Sequence, residues 1–187
     1  MIEGDTLPTL EAPRLRLRWL TADDIDGLFD VFSDETMMRY WSSAPMKERA
    51  EAEALLAKIR RHFAEKSGFQ WGVERKDDGR LLGTCTIFNV HAANRRGELG
   101  YALGSAYWRR GYMSEALTAL LDYAFGPMQL RRLEADVDPR NAASLGLIGK
   151  LGFRREGLLR ERWNVAGEIQ DTAFLGLLAR EWQARRA

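Results

Sequence analysis

The stretch YWRRGYMSEAL at residues 107–117 combines two arginines, a glycine and the start of an apolar helix pattern. The first backbone N–H groups of a helix have no partner within the helix and lie at the positive end of its dipole, so anions bind there. Gly111 would let the backbone approach an anion closely, and Arg109 and Arg110 would add charge-assisted hydrogen bonds. The alternative is a basic turn that only aids solubility, and this stretch alone does not separate the two.

A second group of polar residues follows the next strand pattern. In the segment DVDPRNAAS at residues 136–144, a strand ends and a short helix begins that carries Asn141 and Ser144 on one face. Residues 98–137 have the order strand, loop, helix, strand, and ligands of such units bind at the carboxyl ends of the strands. We therefore expect Asn141 and Ser144 to face the same cleft as the Arg-Gly loop, which favours an anion site over a simple turn.

The elements that must position these residues follow from hydrophobic periodicity. The predicted order is a strand from residue 13 to 19, helices from 21 and over 46–66, strands over 69–75, 81–90 and 98–103, a helix over 113–125, a strand over 133–137, a short helix after 140, and strands over 153–163 and 168–178. Hairpins predict antiparallel pairing, whereas the strand–helix–strand unit predicts one parallel pair. The sequence therefore predicts an α/β (α+β) fold with a single mixed, mostly antiparallel seven-stranded sheet and helices on both faces.

The N-terminal residues contain the first strand. Residues 1–12 are expected to be a loose leader, and residues 1–187 to form one domain. The strand alternates leucine with arginine, so that Arg14, Arg16 and Arg18 share one face. That face suggests nucleic-acid binding, but the solvated face of an edge strand is the better-supported interpretation.

Composition excludes several functional classes. The chain has 187 residues and a net charge of +1, so no global charge favours nucleic acid or an anionic membrane as a partner. Its one cysteine, Cys85, rules out a disulfide framework or a cysteine zinc site, and the sequence shows no other metal-ligand cluster. No secretory signal and no run of about 18 apolar residues is found, so we expect a cytoplasmic protein without a membrane partner.

Four motifs carry a resemblance to a known family. PRLRLRWLTADD, ELGYAL, YWRRGYMSEAL and NAASLGLIGKLGFRREGLLRE, in this order, resemble the GNAT superfamily of acetyl-CoA-dependent N-acetyltransferases. The resemblance covers nearly the whole chain and is most similar to the RimJ/RimL-type group, which acetylates ribosomal-protein N-termini. It implies the GNAT fold, in which the parallel strands splay apart, and acetyl-CoA as co-substrate without a metal.

The loop pattern of the family is matched only in part. The family's pyrophosphate loop reads glutamine or arginine, two variable residues, glycine, one variable residue, then glycine or alanine. Aligned on Gly111, this chain has Trp108, which is usual in the Rim-like branch, at the first place and the bulkier Met113 at the last. The resemblance still implies that the pyrophosphate is bound by the backbone amides of Arg110, Gly111, Tyr112 and Met113. Arg109 and Arg110 would reach the phosphates.

The resemblance also implies roles in a reaction. An amine would attack the thioester directly, while backbone groups near Leu103 hold the acetyl carbonyl. Glu98 is the candidate base and also a candidate contact for the amine, Ser144 is the candidate acid toward the departing thiolate, and Asn141 would hydrogen-bond the pantetheine.

Each of these roles has a structural alternative. Glu98 could instead be a strand-end carboxylate that pairs with Arg95 or Arg96. Asn141 could serve only as a helix cap, and Ser144 could be a serine on a helix surface.

The acceptor is the least defined part of the prediction. Tyr40 and Trp41 could line its pocket or cap the core, and Tyr112 is a second candidate acid. We expect a protein N-terminus or a small-molecule amine as acceptor, and the resemblance alone supports a homodimer. The rival hypothesis is a non-catalytic acyl-CoA-binding or sensor protein on the same fold.

Overall fold

The computed structural model describes residues 4–186, in which one mixed sheet of eight strands carries helices on both faces. The strands are β1 (Leu10–Glu11), β2 (Leu15–Arg18), β3 (Gly68–Arg75), β4 (Leu81–His91), β5 (Arg96–Leu103), β6 (Arg132–Val137), β7 (Arg154–Val165) and β8 (Glu168–Leu178). The helices are α1 (Ile25–Phe32), α2 (Glu35–Met38), α3 (Arg49–Ala64), α4 (Tyr112–Phe125), α5 (Ala142–Lys150) and α6 (Ala179–Arg186). The strands lie in the order β1-β2-β3-β4-β5-β6-β8-β7, and each neighbouring pair except β5 with β6 is antiparallel.

The N-terminal segment departs from the prediction, which makes the sheet eight-stranded rather than seven-stranded. The expected loose leader over residues 1–12 is wrong from Leu7 onward, whereas residues 4–6 are exposed bends and residues 1–3 lie outside the described residues. Strand β1 pairs with β2, Leu7 is only 4% exposed, and the Trp71 indole N–H donates to the Pro8 carbonyl at 2.9 Å. A strand of two residues is too short for alternation to reveal it.

The arginine face of β2 does not belong to an edge strand, as the sequence had suggested. Strand β2 lies between β1 and β3, and its arginines meet carboxylates. Arg16 contacts Glu74 at 3.1 Å, and Arg18 contacts Asp24 at 2.8 Å. These ion pairs tie β2 to β3 and to the turn before α1.

The parallel pair is short, and its two strands diverge. Pairing joins residues 96–98 of β5 with residues 132–134 of β6 and ends there. Strand β5 nevertheless stays paired with β4 as far as Leu103, and β6 stays paired with β8 as far as Val137. The splayed parallel pair is therefore confirmed, and it leaves an opening between the carboxyl ends of β5 and β6.

Two apolar cores lie on opposite faces of the sheet. Side chains alternate along β5, so Leu99 and Leu103 enter the core that contains α4, whereas Ala102 enters the core built by α1 and α3. The same alternation places Tyr101 on the α4 face and Glu98 on the opposite one. The two residues therefore reach the opening from different sides of the sheet.

Helix α4 sets the position of the loop before it. Its apolar stripe is buried, as its helical spacing predicts, and runs through Met113, Ala116, Leu117, Leu120, Leu121, Ala124 and Phe125. Gly126 follows as the C-cap and donates its N–H to the Asp122 carbonyl. Among the helices of residues 4–186, none combines the length and apolar composition needed to cross a membrane.

Candidate active site

The loop between β5 and α4 forms a concave turn of backbone N–H groups. Arg109 has φ +60° and Gly111 has φ +80°, whereas the φ of Arg110 between them is not positive. Backbone that alternates in this way directs successive N–H groups toward one centre and makes an anion-binding nest. Gly111 is also the N-cap of α4, so this nest at residues 109–111 opens onto a helix N-terminus.

Arg109 adopts its left-handed conformation at a cost, because only glycine reaches that region readily. Strained positions of this kind persist where the surrounding structure holds them, and they cluster at ligand sites. The side chains of Arg109 and Arg110 are both exposed to solvent at the loop surface. Both positive charges are therefore available to an anion at the nest.

Met113 does not obstruct the loop. Helix α4 begins at Tyr112, so Met113 is the second helical residue, and its side chain is 5% exposed. Its Sδ lies 3.6 Å from Sγ of Cys85 on β4. The Met113 side chain, which is larger than the glycine or alanine of the family pattern, therefore packs in the core. The Met113 backbone N–H remains in the first turn of the helix.

The end of β5 offers a backbone donor to the opening. The Gly104 N–H donates to the Leu82 carbonyl on β4. N–H groups of successive strand residues point to opposite sides, so the Leu103 N–H points away from β4 and toward the opening. The Trp108 indole N–H donates to the Leu103 carbonyl at 2.7 Å, which ties the loop to the same strand end.

A hydroxyl pair spans the opening between β5 and α5. The Tyr101 Oη lies 2.5 Å from the Ser144 Oγ and 3.4 Å from the Ser144 carbonyl oxygen. Burial raises the pKa of Tyr101 to about 12, so the phenol keeps its proton at neutral pH. The pair links the strand that ends in the loop to the helix that follows β6.

Tyr101 is the residue that the sequence analysis missed. The available signal was a hydroxyl-bearing side chain on the face of ELGYAL that otherwise presents Leu99 and Leu103. Its partner Ser144 lies 43 residues further along the chain. No local pattern connects them, because only the crossover through α4 and β6 brings α5 beside β5.

Asn141 takes the helix-cap position. Its Oδ1 accepts a hydrogen bond from the Ser144 N–H at 3.0 Å, which fixes the first turn of α5. The cap therefore orients Ser144 toward Tyr101. The Asn141 amide Nδ2 takes no part in this cap, so contact with the pantetheine stays a prediction.

Glu98 lies at the last paired position of β5, where the opening begins. Its Oε1 accepts a hydrogen bond from the Asn89 Nδ2 at 3.0 Å. Across the parts of the chain that the structure covers, Glu98 forms no ion pair with Arg95 or Arg96. Arg96 instead contacts Glu134 at 2.9 Å.

The carboxylates that neighbour Glu98 on this face of the sheet have cationic partners. Arg132 contacts both Glu134, at 2.8 Å, and Glu156, at 2.6 Å. Asp136 accepts a hydrogen bond from the Trp163 indole at 3.2 Å and contacts Arg162. Glu98 differs from them, because within residues 4–186 its partner is a neutral amide and its charge is not neutralised by an arginine.

The two aromatic residues predicted to line the acceptor pocket have different neighbours. The guanidinium of Arg140, the residue before the α5 cap, lies 5.7 Å from the centre of the Tyr40 ring. Trp41 packs its ring against Phe32, with the ring centres 5.7 Å apart, at the core of α1 and α3. This contact fits the core-capping alternative, and a role for Trp41 in the acceptor pocket stays a prediction.

The Tyr112 side chain lies beside the loop rather than across the opening. Its ring is covered by the Arg14 guanidinium, with Cζ 4.6 Å from the ring centre. This geometry does not favour Tyr112 over Ser144 as the acid. Among residues 4–186, no group of three or more histidine, cysteine or carboxylate side chains is arranged to hold a metal ion.

A cavity of about 440 Å³ lies beside the opening rather than within it. It is enclosed by α1, the turn between β3 and β4, and the residues that follow β5, and its lining includes Asp30, Asp34 and Arg80. Asp34 accepts a hydrogen bond from the Ser105 N–H at 2.8 Å. Partial burial of Asp34 opposes its ionisation, but hydrogen bonds from Ser105 and from α2 outweigh it and hold the pKa of Asp34 below its usual value. The cavity contains none of the predicted site residues, so it does not define the active site.

Comparison with known proteins identifies the class. The acetyltransferase (GNAT) domain family matches residues 14–154, which is more than half of the chain. The chain therefore belongs to the GNAT acetyltransferase family, and it is an acyltransferase that uses an acyl-CoA and an amine acceptor.

Individual relatives agree with this assignment. The chain is 33% identical over 176 residues to the uncharacterized N-acetyltransferase p20 of Bacillus licheniformis, which covers 94% of this chain and 99% of the relative. It is 26% identical to the [ribosomal protein uS5]-alanine N-acetyltransferase of Escherichia coli (strain K12), over 95% of this chain and 94% of that one. The structure of Mycobacterium smegmatis RimJ in complex with CoA-disulfide is similar with a TM-score of 0.83 and 26% identity, and covers 94% of this chain and 88% of that chain. None of these relatives supports a non-catalytic binder.

Proposed function

We propose that the protein transfers an acetyl group from acetyl-CoA to a primary amine by direct attack of the amine on the thioester. The observation that carries the proposal is the opening between β5 and β6, with the nest at residues 109–111 after one strand and Ser144 after the other. A thioester held in that opening would have a base on one face of the sheet and an acid on the other.

The nest supports binding of the CoA pyrophosphate. Its N–H groups and those of the first turn of α4 supply donors, and Arg109 and Arg110 supply positive charge. The Leu103 N–H is then the donor for the acetyl carbonyl oxygen. A fixed donor at a developing oxyanion typically accounts for about 10²–10³-fold in rate.

Glu98 is the proposed base. A protein α-amino group has a pKa of roughly 7.7–8.0, so a sizeable fraction is already neutral near pH 7 and needs only modest help. The Glu98 carboxylate bonds to Asn89 and to no arginine among the described residues, so it can accept the amine proton directly or through one water. In the step, the C–N bond forms, the C–S bond breaks and the amine proton passes to Glu98, while the sulfur leaves as a thiolate that takes a proton from water.

Ser144 is the proposed acid toward the thiolate, with Tyr101 as its positioning partner. The Ser144 Oγ–H donates a hydrogen bond that stabilises the departing thiolate and keeps its proton, and the Tyr101 O–H donates a hydrogen bond to the Ser144 Oγ, from which it lies 2.5 Å away. Because burial raises the pKa of Tyr101 to about 12, Tyr101 serves better as a fixed hydrogen-bond donor than as a group that gives up its proton.

The charges around the opening favour an acceptor with one amine. A polyamine would need several carboxylates without cationic partners, but Arg96 and Arg132 already neutralise Glu134 and Glu156. A peptide N-terminus or a small amine needs only Glu98 and a rim that includes Tyr40. This supports a protein N-terminus or a small-molecule amine as the acceptor.

A homodimer is also part of the proposal, and a cytoplasmic location stays a prediction. Strand β7 lies at one of the two edges of the sheet, and it exposes Leu158, Leu159 and Trp163. An exposed strand edge with apolar side chains pairs readily with a second chain. Light scattering coupled to size-exclusion chromatography should give twice the mass of one chain, and a monomer at micromolar concentration would contradict it.

The proposal is tested by following CoA release from acetyl-CoA in the presence of a panel of N-terminal peptides and small amines. We expect release that depends on at least one amine, with the acetylated amine identified by mass spectrometry. Binding of acetyl-CoA without transfer to any amine in a broad panel would favour the non-catalytic binder instead.

A further inference from the structure

Arg14, just before β2, contacts the nest from behind. Its Nη1 donates to the Arg110 carbonyl oxygen at 3.1 Å. Its Nη2 would lie 3.3 Å from a Cβ placed on Gly111, and its Cζ lies 4.6 Å from the centre of the Tyr112 ring. The guanidinium thus reaches the loop backbone and the first helical side chain at once.

Glu115 holds Arg14 in this position. It lies in the first turn of α4, where a carboxylate is favoured by the helix dipole. Its Oε1 accepts the Arg14 backbone N–H at 2.5 Å, and its Oε2 accepts the Arg14 Nε–H at 2.8 Å. The Glu115 side chain is 13% exposed, so the pair is partly shielded from water.

The contact with the Arg110 carbonyl fixes the direction of an N–H group. In a trans peptide the C=O and the following N–H point in opposite directions. When Arg14 holds the Arg110 carbonyl, the Gly111 N–H must point away from Arg14. The same contact restrains the loop next to Arg109, whose left-handed backbone needs such support.

We propose that Arg14 and Glu115 form a clamp that preorganises the nest for the pyrophosphate of acetyl-CoA, an inference that rests on the proposed function. Both are positioning residues, because they act on the loop backbone rather than on the cofactor. The clamp would lower the cost of ordering the loop on binding, and so would act on affinity for any ligand that carries the pyrophosphate.

The test compares ligands with and without the pyrophosphate. Dissociation constants for CoA and for pantetheine are measured by calorimetry on the full chain, together with KM for acetyl-CoA and for S-acetylpantetheine. Arg14→Gln and Glu115→Ala should each weaken CoA binding about tenfold, the order of one charge-assisted hydrogen bond, and leave pantetheine binding and kcat within about twofold. Arg16→Gln is the matched control, since Arg16 lies on the same face of β2 and bonds to Glu74 rather than to the loop.

Two variants separate the clamp from a direct phosphate contact. Arg14→Lys keeps the charge but loses the planar fork, so the clamp predicts a loss like that of Arg14→Gln. Glu115→Ala keeps Arg14 itself. CoA affinity that is retained in either of these variants would overturn the clamp, and so would an equal loss for pantetheine. If wild-type protein binds CoA but transfers acetyl to no amine, the proposed function fails while the binding constants still decide the clamp. Melting temperatures within a few degrees of wild type show that each variant is folded.

Discussion

The pairing of Tyr101 with Ser144 gives a prediction that can be worked through from the structure. Tyr101→Phe removes one hydroxyl and leaves the aromatic ring in the core. The Ser144 Oγ then loses a hydrogen-bond partner that lay 2.5 Å away. Because Ser144 is half-buried, a water molecule replaces that partner only in part. A neutral hydrogen bond of this kind contributes about 0.5–1.5 kcal/mol, which corresponds to a roughly 2–13-fold lower kcat.

The assay is CoA release at saturating acetyl-CoA and amine. Tyr101→Phe should lower kcat while KM for acetyl-CoA changes less than about twofold, because the lost contact serves the acid rather than the nest. Tyr123→Phe is the matched control, since Tyr123 lies on α4 and packs its ring against Trp71 away from the opening. An unchanged kcat for Tyr101→Phe, or an equal loss for Tyr123→Phe, would refute the positioning role.

Three further predictions follow. Glu98→Gln should lower kcat about 10²-fold near pH 7 with unchanged CoA affinity, and a kcat of this variant that equals the wild-type kcat from pH 6 to 9 would exclude Glu98 as the base. Gly83→Ala should lower the free energy of unfolding by more than about 2 kcal/mol in urea titrations, because its Cβ would lie 2.0 Å from the Ala102 carbonyl oxygen. A Cβ on Gly146 in α5 meets nothing within 4 Å, so Gly146→Ala should instead raise the free energy of unfolding by about 0.5–1 kcal/mol. Burial raises the pKa of Tyr101 to about 12, above its unfolded value of roughly 10, so the stability that this burial gives below pH 10 is lost as the pH rises toward 12. Tyr101→Phe should therefore make the free energy of unfolding fall less steeply between pH 10 and 12. The same slope in both proteins would contradict the burial of Tyr101.

Local patterns predicted the parts of the fold that depend on local chemistry. The apolar spacing of α4 and the turn residues after it placed that helix to within one residue at its start. The strand–helix–strand order predicted the parallel pair, because such crossovers force the two strands into one orientation. The same apolar spacing also indicates that the Met113 side chain packs with the buried stripe of α4 and not in the loop.

Contacts between distant segments could not be predicted. Arg14 and Glu115 are 101 residues apart, and Tyr101 and Ser144 are 43 apart, so neither pair leaves a local signature. Arg14, Arg16 and Arg18 looked solvated because their carboxylate partners come from β3, from the turn before α1 and from α4. The side-chain chemistry of each residue was readable, whereas its partner depended on how the sheet closes around the opening.

The position of acetyl-CoA in a crystal structure of the complex is the decisive measurement for the proposed site. We expect the pyrophosphate to lie within hydrogen-bond distance of the backbone N–H groups of residues 110–113. We also expect the acetyl oxygen to face the Leu103 N–H and the thioester sulfur to lie next to the Ser144 Oγ. A cofactor seated elsewhere, such as in the aspartate-lined cavity beside α1, or a thioester far from Ser144 and Glu98, would contradict the proposed site.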